Sequence, residues 1–265
     1  MGSIPTFGSI RQLKDFFLPN NGRESPTAGF KTRLDVIQVK HYPKNNDIMR
    51  TLVQKHISLW AQRAFLLNVL LGLVLLGAGI SATYYANFYT SIHASNSVTD
   101  IILDNVPVVN VDFVFNEGAM IFFVCVALLL IYEPRRIPFV LKSIAIFYII
   151  RSIFMMLTHL APPFNALPLD AGDLITKLSS GLSSGNDLFF SAHTGLPFLL
   201  AIIFWGDKLP RYFFLFSAAL GGTSVLLGHL HYSIDVFSAL FISFGIFYIA
   251  KMFFKKDYVL FSSRE

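Results

Sequence analysis

The sequence is poor in charged residues and has a single cysteine. Only 14% of its 265 residues are charged, and 54% are hydrophobic. In a typical soluble domain about a quarter of the residues are charged. This composition excludes an ordinary soluble protein, and 28 phenylalanines exclude a disordered chain. With Cys125 alone, the chain can form neither an intrachain disulfide nor a cysteine-based metal cluster. No basic stripe interleaved with aromatic residues occurs, so nucleic-acid binding is not expected.

Long apolar segments take up most of the remaining sequence. A membrane helix needs about 20 apolar residues, and six segments approach or reach that length, the fourth and fifth being short. They are residues 64–84, 113–132, 139–159, 191–206, 212–228 and 232–253. We therefore predict an all-α integral membrane protein with six transmembrane helices.

The connections between these segments differ in charge. Lysine and arginine collect in residues 1–63, in the loops after the second and fourth segments and in the tail, whereas residues 85–112 contain neither. The positive-inside rule then predicts that both termini are cytoplasmic. Residues 1–60 form a basic N-terminal segment in this interpretation, residues 61–255 the membrane domain and residues 256–265 a cytoplasmic tail.

The N-terminal segment has no strong domain signature. A solvated basic tail near anionic lipid is the favoured interpretation. The alternative is a short helix at the membrane surface, over residues 4–18 or over residues 47–62, with Asp47 as the N-cap of the second.

Placing an ionisable side chain inside a membrane-spanning segment costs free energy, so each such residue is expected to have a structural or functional role. Glu117, Arg151, His193 and Asp235 all fall near the non-cytoplasmic end of their predicted spans. Arg151 suits phosphate binding, with a structural pairing to Glu117 as the alternative. Lys142 falls near the cytoplasmic end, where it can extend to the headgroups.

The sharpest local pattern is His231-Tyr-Ser-Ile-Asp235. A spacing of four residues places both side chains on one helix face, where the carboxylate can fix the imidazole tautomer and leave the other nitrogen as a nucleophile or base. A metal site formed by His229, His231 and Asp235 is the less favoured alternative. His229 alone is interpreted as structural.

A second pattern spans residues 187–194. It places His193 at a predicted helix start, where free backbone N–H groups favour a phosphate, and Ser191 and Thr194 add hydroxyl donors. Two imidazoles, a carboxylate and an anion-binding helix start are suited to phosphoryl transfer. The loop acids Asp100 and Asp104 are interpreted as solvated charges, and the glycines at 72, 77, 79, 221 and 222 as positions of close helix packing.

Both patterns resemble motifs of the type 2 phosphatidic-acid phosphatase (PAP2) superfamily, most closely its sphingomyelin-synthase branch. Residues 186–194 read Asn-Asp-Leu-Phe-Phe-Ser-Ala-His-Thr, where that branch has Gly-Asp-x-x-Phe-Ser-Gly-His-Thr, and residues 231–235 differ from its His-Tyr-Thr-x-Asp motif by Ser233. Residues 148–163 are similar to its third-span segment. The Lys-x6-Arg-Pro motif of the phosphatase branch is absent from the sequence, and Gly228-His229-Leu230 replaces the Ser-Arg pair of that branch.

The resemblance implies a six-span fold and headgroup exchange through a phosphohistidine, without a cofactor or metal. His231, oriented by Asp235, would be the nucleophile. His193 would protonate the leaving alkoxide, with Asp187 tuning it, and Glu117 would help to activate the acceptor. Binding residues would be Arg151, Ser191, Thr194 and Tyr232.

The expected partners are a phospholipid donor and a lipid-alcohol acceptor such as ceramide or diacylglycerol, with the site on the non-cytoplasmic face. The alternative function is a lipid phosphatase or phospholipase C-like hydrolase with water as acceptor. A non-enzymatic lipid-binding or transport protein is less favoured, because the polar residues gather at one face.

Overall fold

The computed structural model describes residues 45–167 and 188–263, and within these ranges the regular structure is helical, without strands. Two 3₁₀ turns, Leu103–Asn105 and Pro134–Arg136, lie between the longer helices. The helices are α1 Asn45–Trp60, α2 Arg63–His93, α3 Asp112–Tyr132, α4 Ile137–Leu157, α5 Ala192–Ile203, α6 Lys208–Leu227, α7 Ser233–Phe253 and α8 Lys255–Ser262.

Four of these helices, α2, α3, α4 and α7, are long and apolar enough to cross a membrane. They coincide with the first, second, third and sixth predicted spans, so the prediction of an all-helical fold with several helices able to span a membrane is confirmed. The fourth predicted span corresponds to α5, an apolar helix of 12 residues, and the fifth corresponds to α6. The total of six spans and the orientation of the termini stay predictions.

Helix α2 packs along α4 through small residues. A Cβ atom at Gly72 would meet Leu141, and one at Gly79 would meet the carbonyl oxygen of Ala145, so both glycines permit close approach. The described residues do not support the same expectation for Gly77, because none of their atoms lies within 4 Å of the position a Cβ would take.

Aromatic side chains fill the space between α4, α5, α6 and α7. Phe139, Phe147, Phe190, Phe204 and Phe214 are almost completely buried in one continuous apolar cluster. Their rings meet edge to face or tilted, as in the Phe147–Phe190 and Phe204–Phe214 pairs, which is the favourable geometry for aromatic contacts. This core fixes α5 against its neighbours.

Helices α2, α4 and α6 finish at one end of the bundle, where α3, α5 and α7 begin. The connecting loops contact one another there: Val109 N–H donates to the carbonyl of Leu227 at 2.8 Å, and Leu167 N–H donates to that of Gly228 at 3.1 Å. We call this end, which carries His193 and His231, the histidine end.

The opposite end contains a buried ion pair. Lys142 is 1% exposed, and its Nζ lies 2.6 Å from Asp257 Oδ2 in α8 and 3.1 Å from Asn68 Oδ1 in α2. The prediction that Lys142 extends to lipid headgroups is therefore wrong. A buried ammonium is costly unless it is paired and hydrogen-bonded, and both conditions are met here.

Helix α1 lies at the opposite end as well. It contacts α2, and Lys55 pairs with Glu133 at 3.6 Å. From residue 45 onward the chain is helical, which agrees with the alternative of a short helix, whereas the interpretation of residues 1–44 lies outside the described residues. Asp47 lies inside α1 rather than at its N-cap.

Candidate active site

His231 and Asp235 form a buried pair at the start of α7. Their exposures are 3% and 0%, and His231 Nδ1 lies 3.2 Å from Asp235 Oδ2. The same oxygen accepts the backbone N–H of Tyr232 at 3.1 Å. Because a carboxylate only accepts hydrogen bonds, the ring hydrogen belongs on Nδ1, and Nε2 keeps its lone pair. His231 is therefore held in the tautomer that a nucleophile requires.

The start of α5 is joined directly to this pair. Ser191 N–H donates to the backbone carbonyl of Asp235 at 3.0 Å. The two preceding residues, Phe189 and Phe190, have φ angles of 81° and 34°, a left-handed region that bulky side chains rarely adopt. Such strain costs about 1–3 kcal/mol per residue and persists only where the surroundings impose it. Here the left-handed conformation of these two residues directs the chain into the start of α5, next to α7.

His193, the second residue of α5, is positioned by two neighbouring helices. Its ring packs on Phe115 of α3, with ring centroids 4.1 Å apart. Its main chain lies against Gly221 of α6, so closely that a Cβ atom at Gly221 would overlap the His193 carbonyl oxygen. Pro197 has no N–H to donate to that carbonyl, which leaves it for this helix contact.

Arg151 of α4 points into the same region. It is 1% exposed, its Nε donates to the carbonyl of Phe190 at 3.1 Å, and its Nη1 lies 3.2 Å from Met155 Sδ. The left-handed conformation of Phe190 thus presents a carbonyl to the guanidinium. Arg151 is thereby fixed in a position from which it can hold phosphoryl oxygens.

A cavity of about 530 Å³ lies between α3, α4, α5 and α6 and is lined by His193 and Arg151. Among the described residues of its wall, α3 contributes Asn116 and not Glu117. The predicted role of Glu117 stays a prediction. Other polar residues of the wall, which sequence reasoning did not single out, are Tyr148, Ser217 and Ser224.

The apolar wall of the cavity continues to the surface of α3. Met120, Phe123 and Val124 line the cavity and are also exposed on the face that a bilayer would cover. A molecule with an apolar tail can therefore lie with its tail in lipid and its polar end near His193.

Three buried oxygens beside the two histidines have no hydrogen-bond partner among the described residues: Ser191 Oγ, Thr194 Oγ1 and Asp235 Oδ1. Buried polar atoms are normally paired. The hydroxyls of Ser191 and Thr194 lie at the first turn of α5, where the helix start favours an anion. This arrangement fits a phosphate-binding site.

The remaining candidate residues are placed as follows. The Tyr232 hydroxyl donates to the carbonyl of Ala161 at 2.9 Å and accepts the N–H of Val98 at 3.1 Å, and its substrate-binding role stays a prediction. His229 directs its two ring nitrogens to the carbonyls of Phe164 and Val106, away from His231, which agrees with a structural role. Asp187 lies outside the described residues.

Asp100 was missed as a functional candidate. It is 9% exposed, and it accepts N–H groups from Ile102, Leu103 and Ser233. Burial by itself raises the pKa of this carboxyl, but hydrogen bonds from Ser233, Ile102 and Leu103 outweigh it and leave the pKa below its ordinary value of 3.8. The bond to Ile102, two residues further on, is a local turn contact that an aspartate in a loop can indicate in the sequence. The contact with Ser233 could not be predicted in this way, because Ser233 is 133 residues away.

No curated protein and no solved structure is significantly similar to the chain. Residues 184–252, about a quarter of the chain, match the family model described as PAP2 superfamily C-terminal. The matched range contains His193, His231 and Asp235. This segment, which carries the two histidines of the candidate site but not Arg151, is therefore similar to the C-terminal part of the PAP2 superfamily, a superfamily of enzymes with phosphoesterase-type chemistry.

Proposed function

We propose that this protein is a membrane-embedded phosphotransferase that moves the phosphorylated headgroup of a glycerophospholipid to a lipid alcohol such as ceramide. The observation that carries the proposal is the buried His231–Asp235 pair, joined by Ser191 to a helix start with unpartnered hydroxyls. It supplies an oriented nucleophile beside an anion-binding position.

In the first step, the Nε2 lone pair of His231 attacks the phosphorus of the donor lipid. The bond between phosphorus and the glycerol oxygen breaks, and a phosphohistidine forms. His193 donates a proton to the leaving alkoxide, which departs as diacylglycerol. The carboxyl group of Asp235, 3.2 Å from His231 Nδ1, lies where it can stabilise the positive charge that develops on the imidazole.

In the second step, the acceptor hydroxyl attacks the phosphohistidine. His193, now neutral, takes the hydroxyl proton, the phosphorus–nitrogen bond breaks, and His231 returns to its starting form. Arg151, held by the Phe190 carbonyl, faces the phosphoryl oxygens in both steps. Asp187 and Glu117 keep the supporting roles that the resemblance implies, and no step requires a metal ion.

The shape of the cavity supports a lipid substrate. His193 and Arg151 line the cavity, whereas its described lining does not include His231 or Asp235, and its apolar wall reaches the exposed face of α3. Donor and acceptor lipids could both reach His193 from within the bilayer without leaving it. This arrangement also supports a site near one membrane face, which the charge distribution predicts to be the non-cytoplasmic one.

Transfer is preferred to hydrolysis because of the sequence around the histidines. The motifs at 186–194 and 231–235 are closer to the sphingomyelin-synthase branch than to the phosphatase branch. Hydrolysis would use the same His193, His231 and Asp235, with water in place of the acceptor hydroxyl.

The test uses purified protein in lipid nanodiscs with labelled phosphatidylcholine or phosphatidylethanolamine, with and without ceramide. We expect a ceramide-dependent labelled product and an acid-labile label on the protein. His231→Ala should lower the rate by about 10³-fold or more and remove the protein label, and Asp235→Ala should lower the rate strongly.

His93→Ala is the matched control, because His93 is an exposed imidazole outside the site. It should retain full activity. Release of phosphocholine or phosphate without a ceramide product would show that the protein is a hydrolase and not a transferase. Full activity of His231→Ala would refute the proposed mechanism. If no donor lipid is turned over, the result would favour a non-enzymatic lipid-binding protein.

A further inference from the structure

The loop between α2 and α3 is bonded to the turn that carries His231. Asp100 Oδ2 accepts the backbone N–H of Ser233, the first residue of α7, at 2.7 Å. Asp100 Oδ1 accepts the N–H groups of Ile102 and Leu103 at 2.9 and 3.2 Å. These three bonds are to main-chain groups, and the Ser233 side chain adds a further hydrogen bond to the carboxylate, so Asp100 links two stretches of the chain.

A shift in the backbone of Ser233 would be passed to His231 through the residue between them. The residue before it, Tyr232, donates its N–H to Asp235 Oδ2, the oxygen that also accepts His231 Nδ1. The Tyr232 side chain is held at its hydroxyl by Ala161 and Val98. The turn from His231 to Asp235 is thus fixed by its own carboxylate and, from outside α7, by Asp100.

The position of Asp100 is also favourable electrostatically. A carboxylate at a helix N-terminus is stabilised by the helix dipole and by the free N–H groups of the first turn. Tyr232, at the N-cap position, has no short side chain with which to cap α7. Asp100 supplies that carboxylate from a distant part of the chain.

We propose that Asp100 is a positioning residue for the nucleophile: it holds the first turn of α7 so that the His231–Asp235 pair keeps its geometry. This inference rests on the proposed function for the role of His231. It predicts that loss of the Asp100–Ser233 bond slows phosphoryl transfer more than it weakens lipid binding.

Two variants remove this bond in different ways. Asp100→Asn cannot replace it fully, because one amide oxygen cannot serve both the Ser233 N–H and the N–H groups of Ile102 and Leu103. Ser233→Pro leaves Asp100 in place and removes the Ser233 N–H together with its hydroxyl, and proline suits the first helical position. Tyr232, at φ −70° and ψ 157°, already has the extended conformation that precedes proline. Asp104→Asn is the control, because Asp104 is an exposed acid in the same loop.

Transfer is measured as kcat and KM in nanodiscs, normalised to the amount of folded protein. We expect kcat to fall about 10- to 100-fold in both variants, with KM little changed and with Asp104→Asn at the wild-type rate. A kcat per folded protein equal to wild type in both variants would overturn the proposal, and so would an equal loss in Asp104→Asn.

A second measurement needs no turnover. The rate at which diethyl pyrocarbonate modifies His231, read by mass spectrometry, reports the environment of the imidazole, with exposed His93 as the internal reference. We expect the His231 rate to rise several-fold in both variants relative to His93. An unchanged ratio would overturn the positioning role even if the proposed transfer activity were absent, so the two hypotheses fail separately.

Discussion

Asp100 accepts three backbone N–H groups, which distinguishes it from Asp104, the other acid of its loop. Because hydrogen bonding lowers its pKa in the folded protein, folding favours the carboxylate form. The stabilising contribution is therefore complete above the pKa of the unfolded chain, at about 4, and is lost as pH falls through the lower pKa of the folded state.

This sign predicts a pH-dependent difference in stability. The melting temperature of wild type should exceed that of Asp100→Asn by a constant amount above about pH 5, and the difference should shrink as the pH approaches 3. Thermal unfolding in detergent across this range measures it. For Asp104→Asn the difference from wild type should stay small throughout, and a gap for Asp100→Asn that widens on acidification would contradict the assignment.

Sequence reasoning succeeded for residues whose partners are close in sequence. The pairing of His231 with Asp235 follows from a spacing of four residues on a helix. The solvated state predicted for Asp100 is wrong, because its partner Ser233 is 133 residues away and no local pattern reports that contact. Lys142 was misjudged for the same reason, since Asp257 is 115 residues away.

The contact between α5 and α6 determines where the His193 main chain lies. Gly221 touches the His193 carbonyl, and the adjacent Gly222 is close to Thr194 and Val236. Two consecutive glycines thus allow α6 to approach both the helix that carries His193 and the helix that carries Asp235.

Replacing Gly221 by alanine should separate α5 from α6 at His193. The added methyl group would overlap backbone, which cannot rotate away, so we expect a destabilisation of about 1–3 kcal/mol and a large loss of transfer rate. Melting temperature and transfer assays measure both. Gly77→Ala is the control, because a Cβ there meets nothing and alanine favours a helix by up to about 1 kcal/mol. Equal behaviour of the two variants would contradict this account.

Most helices could be located from composition, but their lengths could not. The four long helices match predicted apolar runs, because a run of about 20 apolar residues is by itself enough to predict a membrane-spanning helix. Helix α2 continues to His93, beyond the predicted end at residue 84, since buried Asn87 and Thr90 extend it on its packed face. Helix α5 ends at Ile203, three residues before the predicted end, because the chain turns at Phe204 towards α6.

Among the described residues, functional groups and positive charges gather at opposite ends of the helical bundle. The histidine end gathers the loops that carry Asp100, His229 and His231, whereas the opposite end gathers basic residues, including Arg135, Arg136 and Lys256. The positive-inside rule predicts that the basic end faces the cytoplasm.

Cysteine labelling would test this orientation. In a Cys125→Ser background, single cysteines replace Asn105 at the histidine end and Lys256 at the opposite end, both of which are exposed. A membrane-impermeant maleimide should label Asn105→Cys only from the non-cytoplasmic side and Lys256→Cys only from the cytoplasmic side. Labelling of both from the same side, or the reverse pattern, would contradict the predicted topology.

The buried pair of Lys142 and Asp257 has a consequence for how the protein is made. During synthesis, Lys142 leaves the ribosome 115 residues before the carboxylate that neutralises it. Until α8 arrives, α4 carries an unpaired ammonium within its own apolar length, supported only by Asn68 of α2. The charge of Lys142 is therefore neutralised only once α8 has been made, so a chain that ends before Asp257 would bury an uncompensated ammonium in α4.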